Sequence, residues 1–131
     1  MKKLQLLLIS ILIPFTVFGE IMRAESYSFD ESTQTLTISD GFSRYSFYGD
    51  KNLVLKIVAE EGALLPQNCS SLLDEYFNVT EIDLSKADAS EVTSMRSMFY
   101  NCINLESITF GDEFSTPQLT DMENIFGIVT N

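Results

Sequence analysis

Met95, Met98 and Cys102 lie at offsets 0, 3 and 7 in "ASEVTSMRSMFYNC" (Ala89–Cys102), a spacing that brings two thioethers and a thiol to one face of a helix. Soft donors of this kind are what Cu(I) prefers. A second cysteine, Cys69, leaves one disulfide open to the chain in an oxidising compartment, which is too few for a disulfide scaffold. Carboxylates supply the other candidate chemistry. Glu81 and Asp83 alternate on one short segment and are the nearest pair for glycoside hydrolysis. Neither sits in an apolar pocket that the sequence identifies, so both read as solvated surface acids. "DLSKAD" (Asp83–Asp88) lacks the ligand spacing of a recognised calcium loop. The chain has no histidine, which removes Ser-His and Cys-His nucleophile activation.

The elements that position these residues repeat. "VTEIDLS" (Val79–Ser85) and "LESITFG" (Leu105–Gly111) share one apolar pattern at an interval of 26 residues, Ile82 to Ile108. Carried backward from the opening stretch, the interval sets Cys69 under Met95, Leu72 and Leu73 under Met98 and Phe99, and Tyr76 under Cys102. Carried forward with one inserted residue, it sets Leu119 on Val92, Met122 on Met95, Ile125 on Met98, Phe126 on Phe99 and Val129 on Cys102. The columns stay apolar. A metal-ligand column should keep its ligands, yet Met98 gives way to Leu72 and Ile125, so packing accounts for this face better than a metal does. A fainter rung starts 27 residues before Ile82, with Leu55 under Ile82 and Ile57 under Leu84.

In the strand segments Leu55, Ile57, Ile82, Leu84, Ile108 and Phe110 point one way while Lys56, Asp83 and Thr109 point the other. The apolar spacing of 3 and 4 after each strand predicts a short helix, with Ser90 as N-cap, Glu91 in its first turn and Asn101 ending it in the left-handed conformation. The expected fold is therefore α/β: a short leucine-rich-repeat-like solenoid, strand plus short helix per rung, with an N-terminal β-hairpin cap. "SYSFDESTQTLTISDG", with Tyr27, Phe29, Leu36 and Ile38 in period two, predicts the first hairpin, and "RYSFYGDKNLVLKIV" a second turning at "GDKN". The cap then covers residues 20–52 and about three repeats cover 53–131, the last lacking its following strand.

"IDLSKADASEVTSMRSMFYNCINLESITF" resembles the repeat unit of BspA-type leucine-rich-repeat surface proteins, L-x-L-S-x-F-D-T-S-x-V-T-x-M-x-x-M-F-x-x-C-x-x-L. Ile82, Leu84, Ser85, Asp88, Ser90, Val92, Thr93, Met95, Met98, Phe99, Cys102 and Leu105 fall on pattern positions, while Ala87 and Ala89 stand where the family has Phe and Thr. The resemblance covers about residues 53–127 and is densest over 79–110. It implies a secreted or surface-displayed solenoid without catalysis or cofactor, of a family associated with adhesion to host matrix proteins and to other cells. A piece of a longer array without activity of its own is the alternative.

The chain opens "MKKLQLLLISILIPFTVFGE", where Lys2 and Lys3 precede an apolar run, Leu4 to Phe18, and Val17 and Gly19 suit a cleavage site. This predicts a signal peptide over residues 1–19, export to the cell surface or beyond, and no membrane span after cleavage. With no cysteine after the run, lipid anchoring lacks an acceptor. Cleavage removes two lysines and no acid, taking the formal charge from -11 to -13. Such a charge repels phosphate, so nucleic acid is not an expected partner. "NCS" and "NVT", at Asn68 and Asn78, match the glycosylation pattern, but the short leader fits a bacterium and both are expected unmodified. The expected partner is a protein of the extracellular matrix or of another cell. Its binding face is the outward ladder Lys56, Glu81, Asp83, Ser85, Ser107 and Thr109, because repeat stacks bind through strand-lined surfaces. No metal or catalytic residue is expected.

Overall fold

The computed structural model describes residues 26–128 in full and the backbone of residues 21–23. Six short strands form one sheet in chain order: β1 (Ile21–Arg23), β2 (Tyr27–Asp30), β3 (Thr35–Ile38), β4 (Lys56–Ala59), β5 (Glu81–Asp83) and β6 (Ser107–Thr109). The first three pair antiparallel and the last four parallel, so the sheet is mixed. The domain is mostly sheet, and its only helical turn among the described residues is a single 3₁₀ turn, Lys51–Leu53. The expected leucine-rich-repeat-like solenoid with a helix in every rung is therefore corrected. No helix among the described residues is long and apolar enough to cross a membrane. The expected signal peptide, 1–19, and Val129 lie outside the described residues.

Period-two burial builds the hairpin. Tyr27, Phe29, Leu36 and Ile38 are buried, and pair Tyr27 to Ile38 and Phe29 to Leu36. Asp30 closes the turn by accepting from the Ser32 amide and hydroxyl at 2.9 and 2.7 Å, and Gln34 takes a left-handed φ of 53°. The second hairpin does not form. β3 and β4 run parallel, so the segment between them must cross from one end of the sheet to the other and cannot fold back on itself. It does so through turns that drive Phe47 between Tyr27 and Phe29, ring centroids at 5.4 and 5.5 Å, before the 3₁₀ turn that Asp50 caps.

The 26-residue interval from Ile82 to Ile108 is the β5–β6 register. The first strand departs from its expected place. Ile57, not Leu55, stands beside Ile82, and Leu55 is 39% exposed. Val54 is fully buried at the place Val79 holds in the next coil, each donating its amide three residues back, to Lys51 and to Tyr76. Because the slip is two residues, Lys56 still faces outward.

Why no helix forms is visible in the backbone hydrogen bonds. An α-helix would spend every N–H of residues 94–102 on carbonyls four residues back. Here Met95, Ser97, Phe99 and Asn101 donate to Asp121, Glu123, Ile125 and Gly127 of the following coil at 2.8–2.9 Å. Cys69, Ser71, Leu73 and Glu75 donate in the same way to Ser94, Arg96, Met98 and Tyr100, at 2.8–2.9 Å. Between these bonds lie tight turns, among them Leu72 to Cys69, Met98 to Met95 and Ile125 to Met122, and the left-handed residues Ser71, Glu75, Ser97, Asn101 and Asn124 recur at the repeat interval. Turns of three or four residues rotate the chain about as fast as a helix does, so the apolar spacing of Met95, Met98, Phe99 and Cys102 suits both. Ser90 caps nothing: its amide donates to the Asp88 carboxylate at 2.9 Å in another such turn. Where the coil after β6 crosses the one after β5, a side chain on Gly111 would overlap the Ser85 carbonyl, so that position requires glycine.

One core results, reaching from Tyr27 to Phe99, with Leu105, Ile108, Phe114, Leu119 and Ile125 packed half-buried at its far end. The other sheet face carries the polar residues.

Candidate functional site

Alternation along five strands turns every second side chain to this polar face. The register aligns them in two rows: Asp30, Thr35, Lys56, Glu81 and Ser107, and beside it Ser28, Thr37, Val58, Asp83 and Thr109. Lys56, Glu81, Asp83, Ser107 and Thr109, singled out from the sequence, thus share one surface, while Ser85 lies just past β5 and donates its amide to Asp83 at 2.9 Å. Half of the surface was missed. Ser28, Asp30, Thr35, Thr37 and Val58 extend the same rows onto β2, β3 and β4, and the period-two pattern of "SYSFDESTQTLTIS" already marked the hairpin residues as outward.

Among the side chains described on β2 to β6, charge on the face is sparse and predominantly negative, with three carboxylates against one ammonium. Lys56 Nζ meets Glu81 Oε1 at 2.7 Å, with both side chains about two-fifths exposed, so the pair orients the groups while adding at most about 1 kcal/mol. The Ser85 hydroxyl and amide, helped by Lys56 and Lys86, hold the Asp83 carboxyl below its ordinary value, and Ser32 does the same for Asp30. Both are therefore fixed anions and acceptors at neutral pH. A general acid needs the opposite shift, which is a chemical argument against Asp83 as the proton donor of a hydrolase. Hydroxyls make up most of the rest. The surface is a shallow, open array of hydrogen-bonding groups on rigid strands.

The soft donors go elsewhere. Met98 is fully buried and Met95 nearly so, both in the core. Cys69 and Cys102 are free thiols, donating to the Pro66 and Leu73 carbonyls at 3.1 Å each. Burial pushes them up to about 12 and about 11, so both thiols keep their protons at neutral pH. Among the described residues no three His, Cys, Asp or Glu gather in a way that could hold a metal ion.

Thiol titration checks this placement. At pH 8 the native protein should leave Cys69, which has no exposed surface, unreacted with an aromatic disulfide reagent, and the denatured chain should react at both cysteines; fast reaction of Cys69 in the native state would contradict its burial. The linked stability has a definite sign. The folded pKa values are raised, so the unfolded chain binds fewer protons above the ordinary thiol value of 9.0, and stability should fall as pH rises from there toward about 12. Tyr76, raised by burial and then by the Asp74 charge, acts in the same direction.

Comparison of the chain with models of known protein families, with characterised proteins and with solved structures finds no match.

Proposed function

We propose that this chain is an exported, non-catalytic binding module whose outward sheet face engages a protein of the extracellular matrix or of another cell surface. The observation that carries the reading is the face itself. Two aligned rows of side chains, hydroxyl or charged at every place but Val58, are held on five hydrogen-bonded strands, with Asp83 and Asp30 held as anions by Ser85 and Ser32. Rigid elements present such groups with little ordering cost on binding. The resemblance of residues 79–110 to the repeats of BspA-type surface proteins supports the same class of function, and the amino-terminal Leu4–Phe18 run supports export.

Solid-phase binding of the full chain to a panel of matrix proteins and partner cells tests it. Saturable binding to at least one of them is expected. The double variant Thr37→Arg, Asp83→Arg, which adds bulk and reverses charge on β3 and β5 without touching the core, should weaken that binding by about tenfold or more. Absence of saturable binding across the panel would sink the proposal, and undiminished binding by the double variant would remove it from this face.

A further inference from the structure

One outward place on the sheet breaks the polar pattern. Val58 is the single apolar residue in the two rows, half-buried on β4 between Thr37 of β3 and Asp83 of β5. Paired strands stand about 4.8 Å apart, so Val58 and Asp83 lie side by side and form one patch, apolar at one end and ionised at the other. Thr37 bounds it beyond Val58, and Thr109 beyond Asp83.

The ionised end has charge to spare. Lys56 Nζ is 2.7 Å from Glu81 and Lys86 Nζ is 3.4 Å from Glu61, so each ammonium near the patch already has a glutamate. Both help to keep Asp83 ionised, yet neither reaches ion-pair distance of it, and among the described residues Asp83 has no such partner. The charge left over is therefore the one on Asp83. Asp30, the other carboxylate of the face without an ion pair, is engaged in closing the hairpin turn. Asp83 Oδ1 accepts from the Ser85 amide at 2.9 Å, and the Ser85 hydroxyl also bonds this carboxylate. A guanidinium docks best by gripping both carboxylate oxygens, which Ser85 obstructs, whereas an ammonium is a point charge that needs only one. Lysine also lays its four-carbon stem along apolar surface while its head stays in water, and Val58 offers that surface next to Asp83. Lys56 and Lys86 repel further cations, so one lysine suits the patch and a basic run does not.

We infer that Val58 and Asp83 form a lysine-reading site: a single lysine side chain of the partner protein lays its stem on Val58 and sets its ammonium against Asp83, with the Thr37 and Thr109 hydroxyls at either end of the patch. The inference rests on the sheet face being the binding surface, and it names the chemistry that surface takes.

The probe is an end-blocked glycine peptide with one lysine at its centre, titrated at low salt into the isotope-labelled full chain and followed by the amide resonances of Val58, Asp83 and Thr109. Saturable shifts at these three amides are expected. Affinity should be weaker by about threefold or more for the arginine counterpart, and by about fivefold or more for the Nε-acetyl-lysine counterpart and for the variant Asp83→Asn, which keeps an acceptor for the Ser85 amide. Val58→Ser should weaken lysine binding by about twofold to fivefold, a loss that a contact through charge alone would not show. Both variants should keep the wild-type far-ultraviolet spectrum. Absence of saturable shifts, equal affinity for the arginine or the acetylated peptide, or full binding by Asp83→Asn would overturn the inference. So would shifts of the same amides with protein concentration and no peptide, since a second copy would then be the occupant. The panel of matrix proteins reads the wider proposal separately. Matrix binding by a chain that ignores the lysine peptide keeps the face in use and refutes this site, whereas a lysine response without matrix binding keeps the site and removes the partner.

Discussion

Met98→Asp should abolish folding. Met98 has no exposed surface and stands in the column of Leu72 and Ile125, its amide donating to Met95 at 3.1 Å and its carbonyl accepting from Leu73 at 2.9 Å. Both backbone groups are engaged, so an introduced carboxylate has no donor there to satisfy it. Burying it unpaired, or protonating it to escape that cost, takes several kcal/mol or more, comparable with the about 5–15 kcal/mol that holds a small domain together. Met98→Leu keeps volume and apolarity and should cost under about 1.5 kcal/mol. Circular dichroism and urea unfolding of the two variants measure the contrast. A cooperatively folded Met98→Asp protein would show that this column is wet. Stoichiometric copper lost from the purified protein on Met98→Leu would instead make the residue a ligand.

Asp74→Ala comes second in size. Asp74 is buried, with Oδ2 at 2.9 Å from Arg44, Oδ1 at 3.1 Å from Lys51, and its carbonyl oxygen 2.7 Å from the same ammonium, which also lies 4.8 Å from the centre of the Tyr76 ring. One carboxylate thus ties the β3–β4 crossover to the turn that begins the next coil. Removing it leaves the Lys51 ammonium largely enclosed, with one carbonyl and a ring face for partners. Breaking a fully buried pair costs about 3–5 kcal/mol, and solvent screening of the more exposed Arg44 lowers the expectation here to about 2–4 kcal/mol. Asp74→Asn, which keeps shape and one acceptor, should cost less than the alanine variant, about 1–2 kcal/mol. Urea midpoints with unchanged slopes would report this. An alanine variant within about 0.5 kcal/mol of wild type would mean that the cluster is decoration.

Nothing in "SSLLDEYFNV" announces that role. Asp74 reads as one acid among many until the fold brings Arg44 and Lys51, 30 and 23 residues earlier, against it. The same is true of Leu55. Its expected place beside Ile82 is taken by Ile57, with Val54 at the place equivalent to Val79, and this register depends on how the preceding crossover enters the sheet. Phe47, read as a strand residue, becomes the plug between two hairpin rings because a parallel partner forbids the second hairpin. The candidate face was half legible. Glu81, Asp83, Ser107 and Thr109 follow from parity within each copy, whereas their continuity with Thr35, Thr37, Ser28 and Asp30 rests on β3 lying beside β4, a pairing between segments that share no repeat.

By itself the sequence determined which side chains face inward on the strands and which residues recur in one column of the later copies, though not the register of the first. Both follow from local geometry: Cβ atoms alternate along extended backbone, and equal spacing along the chain becomes equal height when like segments stack. Only the tertiary structure decided how the chain closes between strands. An apolar interval of three or four residues states the rate at which the chain turns and is silent about where its N–H groups go. Here the amides of Met95, Ser97, Phe99 and Asn101 reach the next coil, 26 residues further on, and once spent there they cannot make a helix.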